Sequence, residues 1–385
     1  MSIEPDHVRQ LRSQLQRFVA DKAPREKRRE WDRTHTFPRD LYAELAAMGL
    51  CGLTVPEEYG GSGPDILAAV AAIEELCRAG SFLAGPFIQC AFYGGMNILE
   101  NGSTVQKADL LPRLAKGELI FAYGLSEPDV GGDLSAVTTR ARREEGEIVI
   151  DGAKRWCTGA DFSDYIYCLV RSDPEAPARQ GLSFVLIPTK APGVTITPID
   201  HVNLRYTLSS DVHFDGVRLP ASAIVGGEEK WNRGWSMLAG RALDIEKLEI
   251  SACAFGLAQA ALEEAWDYAQ TREQFGKVIS GHQAVRHALV DAKTKLEACR
   301  LVLDHAANLA NEGKPCAAET SMAKLFIGET VVEIALACQK VMGAYALSAD
   351  YDIERNVRDL LSMPIVGGSS NMQRNNLAAL WRLKG

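Results

Sequence analysis

Nowhere in the 385-residue chain does an apolar run approach the ~20 residues that cross a bilayer, so a membrane-spanning helix is excluded. Paired cysteines are missing too. The nine cysteines are scattered singly, with no C-x-x-C to chelate zinc or exchange disulfides, and they read as buried thiols of a reducing compartment. A basic excess is also absent. The net charge is −8, and the aromatic residues, 7% of the chain, are not interleaved with Lys/Arg runs, so nucleic acid is not an expected partner. Met1 to Gln16 mix Glu4, Asp6, Arg9 and Arg12 with spaced apolar positions, unlike a signal or transit peptide. The expected setting is the bacterial cytoplasm.

What is present is core-forming material. At 46% hydrophobic, the chain exceeds what one hydrophobic core usually organises, and two or three domains are expected. From Val8 to about Lys116 the apolar residues recur at helical spacing, with Pro38 opening one helix and Gly49 closing it. After Phe121 come short β-branched and aromatic runs bounded by Asp151-Gly152, Pro192-Gly193 and Pro220, the pattern of an antiparallel β domain. From Trp235 helical periodicity returns as one helix to about Thr271, then Ala284 to Glu312, Cys316 to Val341 and Glu354 to Leu361. The expected fold is α+β: a helical domain over 1–121, an antiparallel β domain over 122–228, and a four-helix bundle over 229–385.

Within that order lie five motifs: Phe37-Pro38 with GLCGLTVPEEYGGSG from Gly49, YGLSEPDVGGD from Tyr123, GAKRWCT from Gly152, YAQTREQFGKVISGHQ from Tyr268, and GGSSNMQR from Gly367. The chain resembles the acyl-CoA dehydrogenase family along nearly its whole length. The resemblance implies FAD as cofactor and an acyl-CoA thioester as substrate. It puts Leu125, Ser126, Trp156 and Thr158 around the flavin, with Gly131, Gly132, Ser369 and Asn371 also on the cofactor. Arg272, Phe275, His282 and Gln283 would grip the FAD of a neighbouring subunit, which implies a homo-oligomer, a dimer or a tetramer. A guanidinium suits the bidentate grip of a pyrophosphate. At the adenine end Gln339 and Gly343 match the family, but Met342 and Tyr345 stand where small residues are usual, which leaves two readings, a shifted or weaker nucleotide and ordinary drift.

Desaturating a thioester needs a carboxylate to take the α-proton while the β-hydrogen leaves as hydride. Many family members supply it from the first residue of an E-G-T-S-type motif, which here reads Gly367-Gly368-Ser369-Ser370. A subset of the family carries the base instead on the first long C-terminal helix, in the sequence L-D-L-E-R-L. This chain has Leu243-Asp244-Ile245-Glu246-Lys247-Leu248, so Glu246 is the candidate base by resemblance. Helical spacing does not choose between Glu246 and Glu249, since each interrupts one of two adjacent apolar lines. Glycine at 367 keeps the backbone N–H that the family uses to polarise the thioester, and it is expected to vacate side-chain volume for a bulky or branched acyl group.

Asp244 matches a pantetheine contact of relatives, Lys247 replaces an arginine, and Gly132 replaces a frequent serine, so all three bear on substrate handling. Electron-transferring flavoprotein is the expected electron acceptor, and lipid metabolism the expected setting. Two other readings remain: a same-fold monooxygenase, oxidase or desulfinase-like enzyme, and a subunit of a hetero-oligomer that lends half of an FAD site.

Overall fold

The computed structural model describes residues 4–383. Helices α1 (Asp6–Lys22), α2 (Arg25–Thr34) and α3 (Arg39–Ala47) lead to α4 (Ile66–Ala79), whose first turn is capped by the Asp65 carboxylate accepting from the Ala68 N–H at 2.9 Å. Next, α5 (Ala84–Ile88) runs into a π-helical stretch, Gln89–Met96, and continues through α6 (Asn97–Asn101) to α7 (Thr104–Ala115). The wider π turn re-aims the side chains after it, and such turns often mark functional sites. It carries Tyr93 and leads directly into Asn97.

The middle of the chain forms a seven-stranded sheet: β1 (Phe121–Gly124), β2 (Arg140–Glu144), β3 (Glu147–Thr158), β4 (Tyr165–Arg171), β5 (Leu182–Pro188), β6 (Val194–Pro198) and β7 (Ser209–Pro220). The expectation of a wholly antiparallel sheet is corrected: β1 pairs parallel with β4, from Phe121 opposite Tyr165 to Gly124 opposite Cys168. A parallel pair needs a long crossover, and the β2–β3 hairpin supplies it. Strand β1 is only four residues long, too short to announce itself by alternation. Both faces of β4 and β5 are covered. Tyr167, Leu169, Phe184 and Leu186 face the main core, while Ile166, Cys168, Val185 and Ile187 face a second core inside the β domain, which explains their unbroken apolar runs.

The C-terminal part begins with a short α8 (Gly234–Leu238) and then α9 (Arg241–Thr271), so the single helix expected from Trp235 is in fact broken at Ala239-Gly240. The cause is an acid from another domain. The Glu100 carboxylate accepts from the first two N–H groups of α9, at 2.9 Å from Arg241 and 2.6 Å from Ala242. A hairpin of β8 (Glu273–Gln274) and β9 (Lys277–Val278) follows, then α10 (Gln283–Asn311), α11 (Ala317–Met342), α12 (Ile353–Leu360) and α13 (Ser370–Leu380). Helices α9, α10 and α11 pack on one another, with α12 against α9 and α11. On its other side α9 meets α4 so closely that a side chain at Gly256 would come within 2.3 Å of the Glu74 carbonyl. Helix α9 is thus buried between the N-terminal helices and the bundle. Among the described residues no helix is long and apolar enough to cross a membrane.

Candidate active site

Because α9 is enclosed on several sides, a carboxylate on it loses water. Glu246 is 8% exposed, its Oε2 has no hydrogen-bond partner among the described residues, and burial pushes its pKa up to about 7 against the pull of Lys247 and Lys324. Glu249, one turn on, is wholly buried with neither carboxylate oxygen partnered; burial and the neighbouring Glu246 push it well above the usual range. Two carboxyls so close do not both ionise readily. Glu246 is the one that opens into a narrow cavity, which it lines with Asn97, Tyr123, Leu125, Tyr167, Phe184 and Leu243. The ambiguity that periodicity left is one of geometry: both acids are buried, and Glu246 borders this space.

Glycine at 367 does not open the expected volume. Its φ is +60°, and a Cβ there would lie 2.7 Å from Cγ1 of Ile250, one turn beyond Glu246 on α9. Ile250 fills the space a side chain would take, which overturns the expectation of extra room for a bulky acyl group. The Gly367 N–H has no backbone acceptor among the described residues, so it is free to donate elsewhere. Behind this loop, buried Lys324 of α11 donates to the Met363 carbonyl at 2.6 Å, and burial lowers its pKa to about 8. Sequence reasoning missed Lys324, because one lysine in a helix ordinarily faces solvent. Gly367→Ala is expected to cost about 1–3 kcal/mol in chemical denaturation, from strained φ and overpacking, and Ile250→Ala in the same chain should return the overpacking share.

Leu125 and Ser126 follow β1, and their geometry is set from behind. Lys154, 0% exposed, donates to the Leu125 carbonyl at 3.1 Å and pairs with Glu127 at 2.9 Å, while the Ser126 carbonyl accepts from the Arg155 N–H. Burial alone would raise the Glu127 pKa, but Lys154 and hydrogen bonds from Thr138 and Thr139 outweigh it and hold the carboxyl down at about 2. Sequence reading passed over this pair, since a lysine and a glutamate 27 positions apart carry no local signal. Next to it, β3 slips register against β7 between Lys154 and Cys157. The slip leaves Trp156 at φ +65° and 53% exposed, while the Thr158 hydroxyl hydrogen-bonds Ser209 at 2.9 Å. Gly131 and Gly132 are exposed on the loop after Ser126, and a Cβ at Gly132 would lie 3.2 Å from Met372 Sδ, which brings that loop to the Ser369–Asn371 turn opening α13.

The structure does not bring every candidate to one place. Arg272 to Gln283 lie on and beside the β8–β9 hairpin, and none of their contacts joins them to Ser126, Trp156 or Thr158 among the described residues. Phe275 sits at the hairpin tip at φ +53° and is 92% exposed, with His282 edge-on to its ring. Arg272 lies over the Tyr345 ring, and Tyr345 joins Tyr268 and Tyr351 in a partly exposed aromatic cluster. Of the two residues that depart from the family at the adenine end, Met342 points into the core at 2% exposure, so only Tyr345 crowds the surface there. Gly343 is exposed just past α11, one turn after half-buried Gln339. Asp244 and Lys247 are paired with each other at 2.7 Å.

These residues suit a flavin nucleotide. Trp156, at a strained backbone position and 53% exposed even with the Arg155 guanidinium over its ring, offers an aromatic wall, the Ser126 hydroxyl has no protein partner among the described residues, and Arg272 offers a guanidinium beside the exposed hairpin. The comparisons agree. Family models described as acyl-CoA dehydrogenase N-terminal, middle and C-terminal domains match residues 5–118, 122–217 and 232–380. An acyl-CoA dehydrogenase of Bacillus subtilis (strain 168) is 32% identical over 373 residues, covering 96% of this chain and 97% of that protein. A 3-(aryl)acrylate reductase of Clostridium sporogenes is 33% identical over 352 residues, covering 91% and 92%. The solved structure of a glutaryl-coenzyme A dehydrogenase glutaryl-CoA complex superposes with a TM-score of 0.93 at 27% identity, covering 100% of this chain and 98% of that one.

Proposed function

The chain belongs to the acyl-CoA dehydrogenase family, FAD-dependent oxidoreductases acting on acyl-CoA, and on that premise we propose that it desaturates an acyl-CoA thioester with Glu246 as the base. The observation that carries this reading is the buried Glu246 carboxyl, with one oxygen unpartnered and a pKa near 7, at the wall of a cavity shared with Leu125. A carboxylate stripped of water is a stronger base than one in solvent, which is what removal of an α-proton requires.

Bound FAD supplies the acceptor for the β-hydride. The chain's own groups do the rest. The free Gly367 N–H donates to the thioester oxygen and so acidifies the α-carbon, and Glu246 then takes the proton. Leu125, Ser126, Trp156 and Thr158 hold the flavin ring, with Gly131, Gly132, Ser369 and Asn371 along the cofactor. Asp244, fixed by Lys247, faces the pantetheine. Arg272, Phe275, His282 and Gln283 reach the nucleotide of a second copy of the chain, near Gln339 and Gly343; the nearly bare Phe275 ring supports that reading, since large exposed aromatics mark contact surfaces. Electron-transferring flavoprotein completes the reading as acceptor.

The test is anaerobic mixing of the flavin-loaded protein with a panel of acyl-CoAs. Bleaching of the oxidised flavin is the expected result, and a flavin that no thioester bleaches would overturn the proposal. Since the base must be ionised to work, the bleaching rate should climb as pH rises through about 7 and level off above it. Stopped-flow rates across that range check the direction.

A further inference from the structure

The mechanism above leaves one pocket unused. It lies past the end of α11, has a volume of about 530 Å³, and is lined by Arg25 of α2 with Tyr345, Asp350 and Tyr351. Small-molecule sites commonly hold ~300–1,000 Å³. The walls are aromatic: the Tyr345 and Tyr351 rings meet edge-on at 5.8 Å, and Tyr268 packs on Tyr345 at 5.9 Å. Each of the two lining rings carries a guanidinium, Arg25 at 5.8 Å from the Tyr351 centroid and Arg272 at 5.3 Å from that of Tyr345. The two arginines differ. Arg25 is committed to Glu264 and Asp352, whereas the Arg272 side chain has neither a hydrogen bond nor an ion pair among the described residues. A guanidinium stacked on a ring keeps its in-plane N–H edges open to an anion. Asp350 adds an acceptor: one carboxylate oxygen takes the Ser348 hydroxyl at 3.0 Å, and the other has no protein partner among the described residues.

We propose that this pocket holds the adenine of the FAD carried by a second copy of the chain, stacked on the Tyr345 ring, with the pyrophosphate on Arg272. The order of the parts supports it. A nucleotide has its base one ribose away from its phosphate, and here an uncommitted guanidinium and the pocket share one tyrosine. Asp350 offers an acceptor to the exocyclic amino group of the base. Every base presents a π face, and an aromatic side chain binds it without any close approach to the backbone. Tyr345 therefore replaces what small residues supply by letting the nucleotide near the main chain. Met342, buried in the core, takes no part. The inference rests on the FAD reading above and is independent of which acid is the base and which acyl chain is the substrate.

The test is flavin exchange. The flavin-loaded chain is equilibrated with mixtures of FAD and FMN, which lacks the adenylate, then gel-filtered, and the bound flavins are separated and counted. The ratio cancels any folding defect that weakens both flavins alike. The unaltered protein should prefer FAD. In Tyr345→Gly that preference should fall about tenfold or more, while Tyr345→Phe, which keeps the ring, should retain it. An unchanged or higher preference for FAD in Tyr345→Gly would make the ring a bystander or an obstruction and overturn the inference. An equal loss in Tyr345→Phe would overturn it too, since the ring would then not be what binds. A chain that takes up neither flavin would remove the FAD reading, and this inference with it, whereas failure of every acyl-CoA to bleach the flavin would leave the exchange result standing.

Discussion

Glu246→Gln should leave a protein that retains its flavin but is reduced by acyl-CoA about 10²–10⁴-fold more slowly, the usual worth of a positioned general base. The amide matches the carboxyl in shape, so the packing of α9 between α4 and α11 need not change, and the burial cost of a carboxyl disappears. Stability should therefore hold or rise while the rate collapses. The same substitution at Glu249 is the internal control: it removes a second buried acid from the same helix and should spare the rate far more. Comparable losses from both would mean that the pair titrates and acts as a unit, and undiminished bleaching in Glu246→Gln would rule the residue out as the base.

A larger effect on stability is expected from Lys154→Met. The Glu127 carboxylate, 3% exposed, would remain buried beside Thr138 and Thr139 without its cation. Removing one member of a buried pair typically costs about 3–5 kcal/mol, because the survivor keeps its desolvation and loses its compensation. Urea denaturation should report that loss. The variant should also shed flavin, since Lys154 holds the Leu125 carbonyl and the strand slip that presents Trp156 begins at Lys154. Flavin-to-protein absorbance after gel filtration would show it. Adding Glu127→Gln should recover part of the stability but little of the flavin. The pair has a pH signature as well. The Glu127 carboxyl sits at about 2 in the fold against an ordinary 4.5, so its contribution is complete above 4.5 and is lost as pH falls toward 2.

How far the sequence could be read depended on whether the signal was local. The long helices α9, α10 and α11 write their periodicity into the chain, and their ends fall within a few residues of the periodic pattern except where Glu100, from far upstream, caps α9 and breaks it at Gly240. Strand β1 and the π-helical stretch Gln89–Met96 had no such pattern, because one is too short and the other departs from the 3.6-residue period. In the site, resemblance pointed to Glu246, and the sequence could not separate it from Glu249. What it could not contain were pairings across the fold: Lys154 with Glu127, Lys324 with the Met363 carbonyl, and Ile250 against Gly367. Each is a relation between distant positions, invisible when either residue is read alone.

The contact between Ile250 and Gly367 has a consequence for descent. A lineage with its base on α9 is free to grow a large side chain into the space above a glycine turn, and once it has, the other arrangement is out of reach by one substitution. Glutamate at 367 would meet Ile250 at once, and a smaller residue at 250 would first have to be fixed with nothing to fill the gap. Moving the acid from α9 to position 367 would therefore take at least two substitutions in this fold, and the identity of residue 250 is expected to track that of residue 367 across relatives.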